Sequence, residues 1–113
     1  MKEKVILTGA NGNIGRTFAE FLVAKGYFVY AVDLKIDRLK TSKNVELVQL
    51  DITDENSVHD FFSSVDNLSV LINNAGIGVF TPFEDRTAAE FKKVMEVNLL
   101  GSFLMSQSAL KIM

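Results

Sequence analysis

Thr8-Gly9-Ala10-Asn11-Gly12-Asn13-Ile14-Gly15 follows the apolar run Val5-Ile6-Leu7 and leads into a helical pattern that begins near Ile14. Glycines three residues apart between a strand and a helix let the backbone turn tightly. They also let a ligand approach the chain and let the helix pack close to the strand. The N–H groups at the helix start carry the positive end of the helix dipole, a setting suited to an anion such as a pyrophosphate. Tight turns before helices are common, so this reading needs support from the remainder of the chain.

After the turn, Ile14, Phe18, Phe21 and Leu22 recur at helical spacing, and Gly26 follows Lys25 as a stop. Tyr27 to Val32 is a continuous apolar run ending at Asp33, as expected of a strand covered on both faces. The polar, basic stretch from Lys35 to Asn44 reads as one short helix, and Val45 to Leu50 as a third strand ending at Asp51. Thr53-Asp54-Glu55 opens a helix whose apolar face is Val58, Phe61, Phe62 and Val65. Leu68 to Ile72 is a fourth strand, ending at Asn73-Asn74-Ala75-Gly76. Thr87-x-x-Glu90 predicts a capping box for a helix through Phe91, Val94 and Met95, and Leu99 to Met113 is again helical in pattern.

Strand and helix therefore alternate without repeat, linker or low-complexity tract. That alternation predicts an α/β fold, a Rossmann-type doubly wound parallel sheet of about four strands with flanking helices, spanning 1–113 as one domain. Ligands of such sheets sit at the carboxyl ends of the strands. The glycine turn, Asp33, Asp51 and Asn73 to Gly76 all fall there.

Asp33 lies 18 residues beyond Gly15, close to the roughly 20-residue offset of an acid that reads an adenosine ribose 2′-hydroxyl. The same carboxylate would oppose a 2′-phosphate. At an effective dielectric of about 20, like charges about 4 Å apart cost roughly 4 kcal/mol. The cofactor expected is NAD in preference to NADP, with Lys35 and Arg38 close enough to soften the choice.

Composition narrows the remaining classes. The 113 residues carry a net charge of −2 and contain no cysteine, which removes disulfides, thiolate catalysis and cysteine-ligated metal. With one histidine, His59, read as solvated on its helix, no metal site is expected. The charge gives no case for nucleic acid or an anionic membrane surface. No stretch approaches the ~18 apolar residues of a membrane span, and the opening Met1-Lys2-Glu3-Lys4 leads into too short an apolar run for a signal peptide, so the expected location is cytoplasmic.

With these motifs in place, the whole chain resembles the short-chain dehydrogenase/reductase family. Thr8-Gly9…Gly12…Gly15 matches its nucleotide-binding turn, Asp51-Ile52 its adenine-contacting strand end, Asn73-Asn74-Ala75-Gly76 its Asn-Asn-Ala-Gly signature, and Asn98 the Asn of its catalytic tetrad. The resemblance implies hydride transfer between a nicotinamide and a small carbonyl or alcohol substrate. The candidate cofactor-binding set is Gly9, Asn11, Gly12, Asn13, Ile14 and Gly15 in the turn, Asp33 and Leu34 at the ribose, Asp51 and Ile52 at adenine, and Asn74, Ala75 and Gly76 beside the nicotinamide ribose. Asn98 is the one candidate catalytic residue, a support for the proton relay in a helix that it interrupts.

Two departures stand out. Asn13 occupies the position where the family's non-extended branch usually has its second glycine, and the spacing found here is more typical of the extended, epimerase-like branch. The family's Tyr-x-x-x-Lys is absent: Tyr27 and Tyr30 are followed four residues on by Ala31 and Leu34. The chain therefore reads as the N-terminal, cofactor-binding half of such an enzyme, inactive alone. The alternatives are a naturally short, non-catalytic dinucleotide-binding protein and part of an extended-type sugar-nucleotide epimerase or dehydratase. The apolar C-terminal segment, with Lys111 its only charge, predicts homo-oligomer contacts through the C-terminal helices, with Met95, Met105 and Met113 filling core or interface gaps.

Overall fold

A computed structural model describes residues 2–113. Four parallel strands, β1 (Lys4–Thr8), β2 (Phe28–Asp33), β3 (Val45–Gln49) and β4 (Leu68–Ile72), form one sheet in the order β3-β2-β1-β4. The chain steps from β1 outward through β2 to β3, then crosses back to place β4 on the other side of β1. Strand order thus reverses at β1, and the crevice at its carboxyl end is where this architecture binds ligands.

Alternation along the strands sorts side chains to two faces. Val5 and Leu7 of β1 and Val29 and Ala31 of β2 pack with Ala19 and Leu22 of helix α1 (Asn13–Ala24). Ile6, Tyr30 and Val32 point to the opposite face, against Val58 and Phe62 of α2 (Glu55–Ser63) and Leu104, Met105 and Ala109 of α4 (Gly101–Leu110). Phe28, Tyr30, Phe61 and Phe62 form an edge-to-face aromatic series on this second face. Burial pushes the Tyr30 phenol up from its ordinary pKa. Tyr30 is a core residue, the reverse of the low-pKa tyrosine that proton transfer needs.

The stretch expected as a short helix from Lys35 to Asn44 is an irregular loop. Local hydrogen bonds compete successfully with helix formation. Ile36 to Leu39 closes one turn, Ser42 bridges to Val45, and Asn11 of the glycine turn holds the main chain of Arg38.

Helix starts follow their caps. Asp54 accepts the N–H groups of Asn56 and Ser57 at the head of α2, and Thr87 accepts that of Glu90 at the head of α3 (Ala88–Met95). Only half of the expected capping box forms, because the Glu90 carboxylate accepts the Thr81 hydroxyl at 2.8 Å. Between α3 and α4 the helix widens into a π-helical turn, Glu96–Leu100, which contains Asn98. No helix among the described residues is long and apolar enough to cross a membrane.

Candidate functional site

The carboxyl ends of the strands open onto a cleft of about 500 Å³. Its floor is the glycine turn, where the three glycines have different work. Gly9 has φ +67°, and a Cβ there would stand 2.8 Å from Ala75 Cα. A Cβ on Gly15 would land on the Gly9 carbonyl and 2.7 Å from Ala10 Cα. Both are required by the packing of the chain itself. At Gly12 a Cβ would meet only the Gly9 oxygen, at an ordinary 3.6 Å, so protein contacts do not explain the bare backbone there. Gly12 heads α1 without any side-chain cap, in contrast to α2 and α3, and it lines the cleft with Asn13, Ile14 and Gly15. The unpaired N–H groups of this first turn, the positive dipole end and a glycine with space above it fit a pyrophosphate.

Asp33 forms the wall beyond the turn. Its two carboxylate oxygens accept the Asn11 N–H at 2.9 Å and the Leu34 N–H at 2.7 Å, which fixes the group at the cleft edge with lone pairs to spare for a diol. Asp51 and Ile52 form the next wall. Asp51 accepts both the Thr53 hydroxyl, at 2.6 Å, and the Thr53 N–H, at 2.9 Å. Those bonds, the hydroxyl's first, hold its carboxyl below the ordinary carboxylate value, with a smaller contribution from Lys93.

Asn74, Ala75 and Gly76 complete the lining from β4. They are held by Thr8, a buried residue that ends β1. Its hydroxyl oxygen accepts the Asn74 and Ala75 N–H groups, both at 3.0 Å, and donates to the Ile72 carbonyl at 3.4 Å. The Asn74 side-chain amide returns a bond to the Gly9 carbonyl, and Asn73 reaches Ser106 on α4. The glycine turn and the Asn-Asn-Ala-Gly segment are therefore one hydrogen-bonded unit.

Two expected residues stand off the lining. Asn11 lies behind the turn and ties it to the β2–β3 loop. Asn98 lies behind Ile77: its side-chain oxygen accepts the Ile77 N–H at 2.8 Å and its amide donates to the Ile77 carbonyl at 2.9 Å. The π-helical turn presents that amide to the β4 loop as a strand would present its backbone. The sequence had Thr8 only as the start of the glycine turn and Thr53 only at a helix start, and it did not single out Ile77, Lys93 and Val97. A polar residue closing an apolar strand was the available signal for Thr8. The four-residue spacing between Lys93 and Val97 was the signal that they share a helix face.

A profile of the short chain dehydrogenase family matches residues 3–113. The NAD-dependent glycerol dehydrogenase of Listeria innocua serovar 6a is 32% identical over 112 residues, covering 90% of this chain and 44% of that protein. The crystal structure of a short chain dehydrogenase from Leptospira borgpetersenii serovar Hardjo-bovis with bound NAD+ superposes with a TM-score of 0.92 at 38% identity, over 98% of this chain and 46% of that one. A variant of ElxO with NADPH bound gives 0.89 at 30% identity, over 98% and 50%. The chain spans about half the length of the relatives it matches. By this match and by the unit that joins its glycine turn to its Asn-Asn-Ala-Gly segment, the chain belongs to the short-chain dehydrogenase family.

Proposed function

We propose that this chain is the cofactor-binding half of an NAD-dependent oxidoreductase acting on a small carbonyl or alcohol substrate. The observation that carries the reading is the cleft at the β1 switch point, where the uncapped start of α1 and the fixed carboxylate of Asp33 stand side by side. A bound nicotinamide dinucleotide would supply the two-electron chemistry that interconverts a carbonyl and an alcohol. Gly12 to Gly15 would take the pyrophosphate, Asp33 and Leu34 the adenosine ribose, and Asp51 and Ile52 the adenine. Asn74 to Gly76 would border the nicotinamide ribose. Asn98 would act on the proton path through the Ile77 backbone that it fixes.

Asp33 favours NAD because a 2′-phosphate would bring like charge against it, and the one cation of the lining, Lys93, acts on Asp51. Among the described residues the one ion pair is Lys4–Asp66, remote from the cleft. We also infer that copies of the protein meet through the exposed apolar side chains of α3 and α4, among them Phe91 and Phe103.

Fluorescence titration with NADH and NADPH tests the cofactor reading. Saturable NADH binding, tighter than NADPH, is expected. Asp33→Ala should weaken NADH and shift the ratio toward NADPH by at least about tenfold, a fraction of the like-charge cost at such a distance. No saturable binding, or a ratio unmoved by Asp33→Ala, would overturn it.

A further inference from the structure

Asn11 makes three hydrogen bonds from the glycine turn to β2 and the loop after it, and does not line the cleft. Its backbone N–H donates to Asp33 Oδ2 at 2.9 Å. Its side chain spans the gap to the β2–β3 loop: Nδ2 donates to Asp37 Oδ1 at 2.9 Å, and Oδ1 accepts the Arg38 N–H at 2.9 Å. One residue thus holds both the acid at the ribose site and the loop that follows it. Of that loop's four cations, Lys35 and Arg38 lie on either side of Asp37 near the clamp, Lys40 and Lys43 follow, and none lines the cleft. The bond from Asn11 also keeps the Asp37 carboxyl below its ordinary value, so the clamp is charge-assisted.

We propose that Asn11 is a positioning residue for cofactor choice. It clamps the β2–β3 loop against the glycine turn, so that the adenosine ribose meets Asp33 while Lys35 and Arg38 are kept from the position of a 2′-phosphate. The proposal rests on the dinucleotide reading above. In this arrangement Asp33 supplies the repulsion and the Asn11 clamp withholds the compensating cations. Releasing the clamp leaves Asp33 in place and frees the loop to bring a guanidinium or ammonium to the phosphate. Asn11 itself touches neither cofactor.

The test is the NADH-to-NADPH affinity ratio of the 113-residue chain by fluorescence titration, with the thermal midpoint measured alongside. Asn11→Ala should move the ratio toward NADPH by about fivefold, the worth of one net hydrogen bond. Asp37→Ala, which cuts the far end of the clamp and leaves the turn untouched, should move it the same way. Combining Asn11→Ala with Lys35→Ala and Arg38→Ala should return the ratio most of the way to its starting value. The proposal is overturned if Asn11→Ala weakens both cofactors equally, or if its shift survives removal of both cations. If the unmodified chain binds neither nucleotide, the underlying dinucleotide reading fails. If it binds NADH and the clamp variants leave the ratio unchanged, only the role of Asn11 fails.

Discussion

Adding one methyl group at Gly12 or at Gly15 asks two different questions of the glycine turn. At Gly15 the new carbon meets the backbone of Gly9 and Ala10, which cannot yield as a flexible side chain can. Gly15→Ala should destabilise the fold by about 1–3 kcal/mol, the usual cost of overpacking, seen as a lower thermal midpoint. At Gly12 the same carbon has ordinary clearance from the protein and projects where α1 begins. Gly12→Ala should leave stability within about 0.5 kcal/mol of the unmodified chain, as surface changes usually do. It should still weaken NADH by at least about tenfold, because a methyl would stand where the pyrophosphate approaches the backbone. A Gly12→Ala variant that bound NADH normally would remove the pyrophosphate from this turn. The glycine spacing was legible in the sequence, but this division of labour was not. It depends on how near Ala75 and the Gly9 carbonyl come, and spacing carries no information on that.

The strands are held in their places by a few polar joints whose failure should be measurable. Thr8 joins β1 to the end of β4 through the two N–H groups that its hydroxyl accepts. Thr8→Val keeps the shape of the side chain and removes that acceptor. It should cost about 1–3 kcal/mol per N–H left unsatisfied, read by denaturant unfolding, because these groups lie in a part-buried joint. At the other end of the sheet, Lys4 at the start of β1 pairs with Asp66, which precedes β4, at 2.6 Å. The hydrogen bond between them raises the Lys4 pKa and lowers that of Asp66. The lowered carboxyl contributes stability that is complete above the usual carboxylate range and is lost as pH falls below about 4. The raised ammonium contributes stability that is complete below its unfolded pKa and is lost as pH rises through the folded value. Asp66→Asn should therefore flatten both the acid and the alkaline limbs of the stability profile. A profile unchanged at either end would mean that the exposed pair adds nothing. The strands and capped helices were legible because apolar periodicity and Asx or Thr caps are local signals. The loop from Lys35 to Asn44 was not, because its shape is set by Asn11, more than 20 residues earlier in the chain.

The molecule as a whole is long and flat, with extents of 52 × 28 × 19 Å and a radius of gyration of 14.7 Å, against about 13 Å for a compact domain of this length. In the helical C-terminal part, α3 buries none of its residues. Phe91, Leu99, Phe103 and Leu110 are each more than half exposed, and Phe18 and Phe21 of α1 add apolar surface on the opposite face of the sheet. Fully covering one large apolar side chain yields about 1.5–3 kcal/mol, so four from each of two copies, each with somewhat over half of its surface left to cover, supply roughly 8–15 kcal/mol gross. Association itself costs an estimated 4–15 kcal/mol in lost freedom. The two terms nearly cancel, which places the contact in a range where concentration decides. At tens of micromolar, light scattering should give a mass above the 12.5 kDa of one chain, falling toward it on dilution. Phe103→Glu combined with Leu110→Lys should restore the single-chain mass without lowering the thermal midpoint, because neither side chain belongs to the core. A stable monomer of the unmodified chain at these concentrations would show that the exposed side chains of α3 and α4 are not a contact between copies.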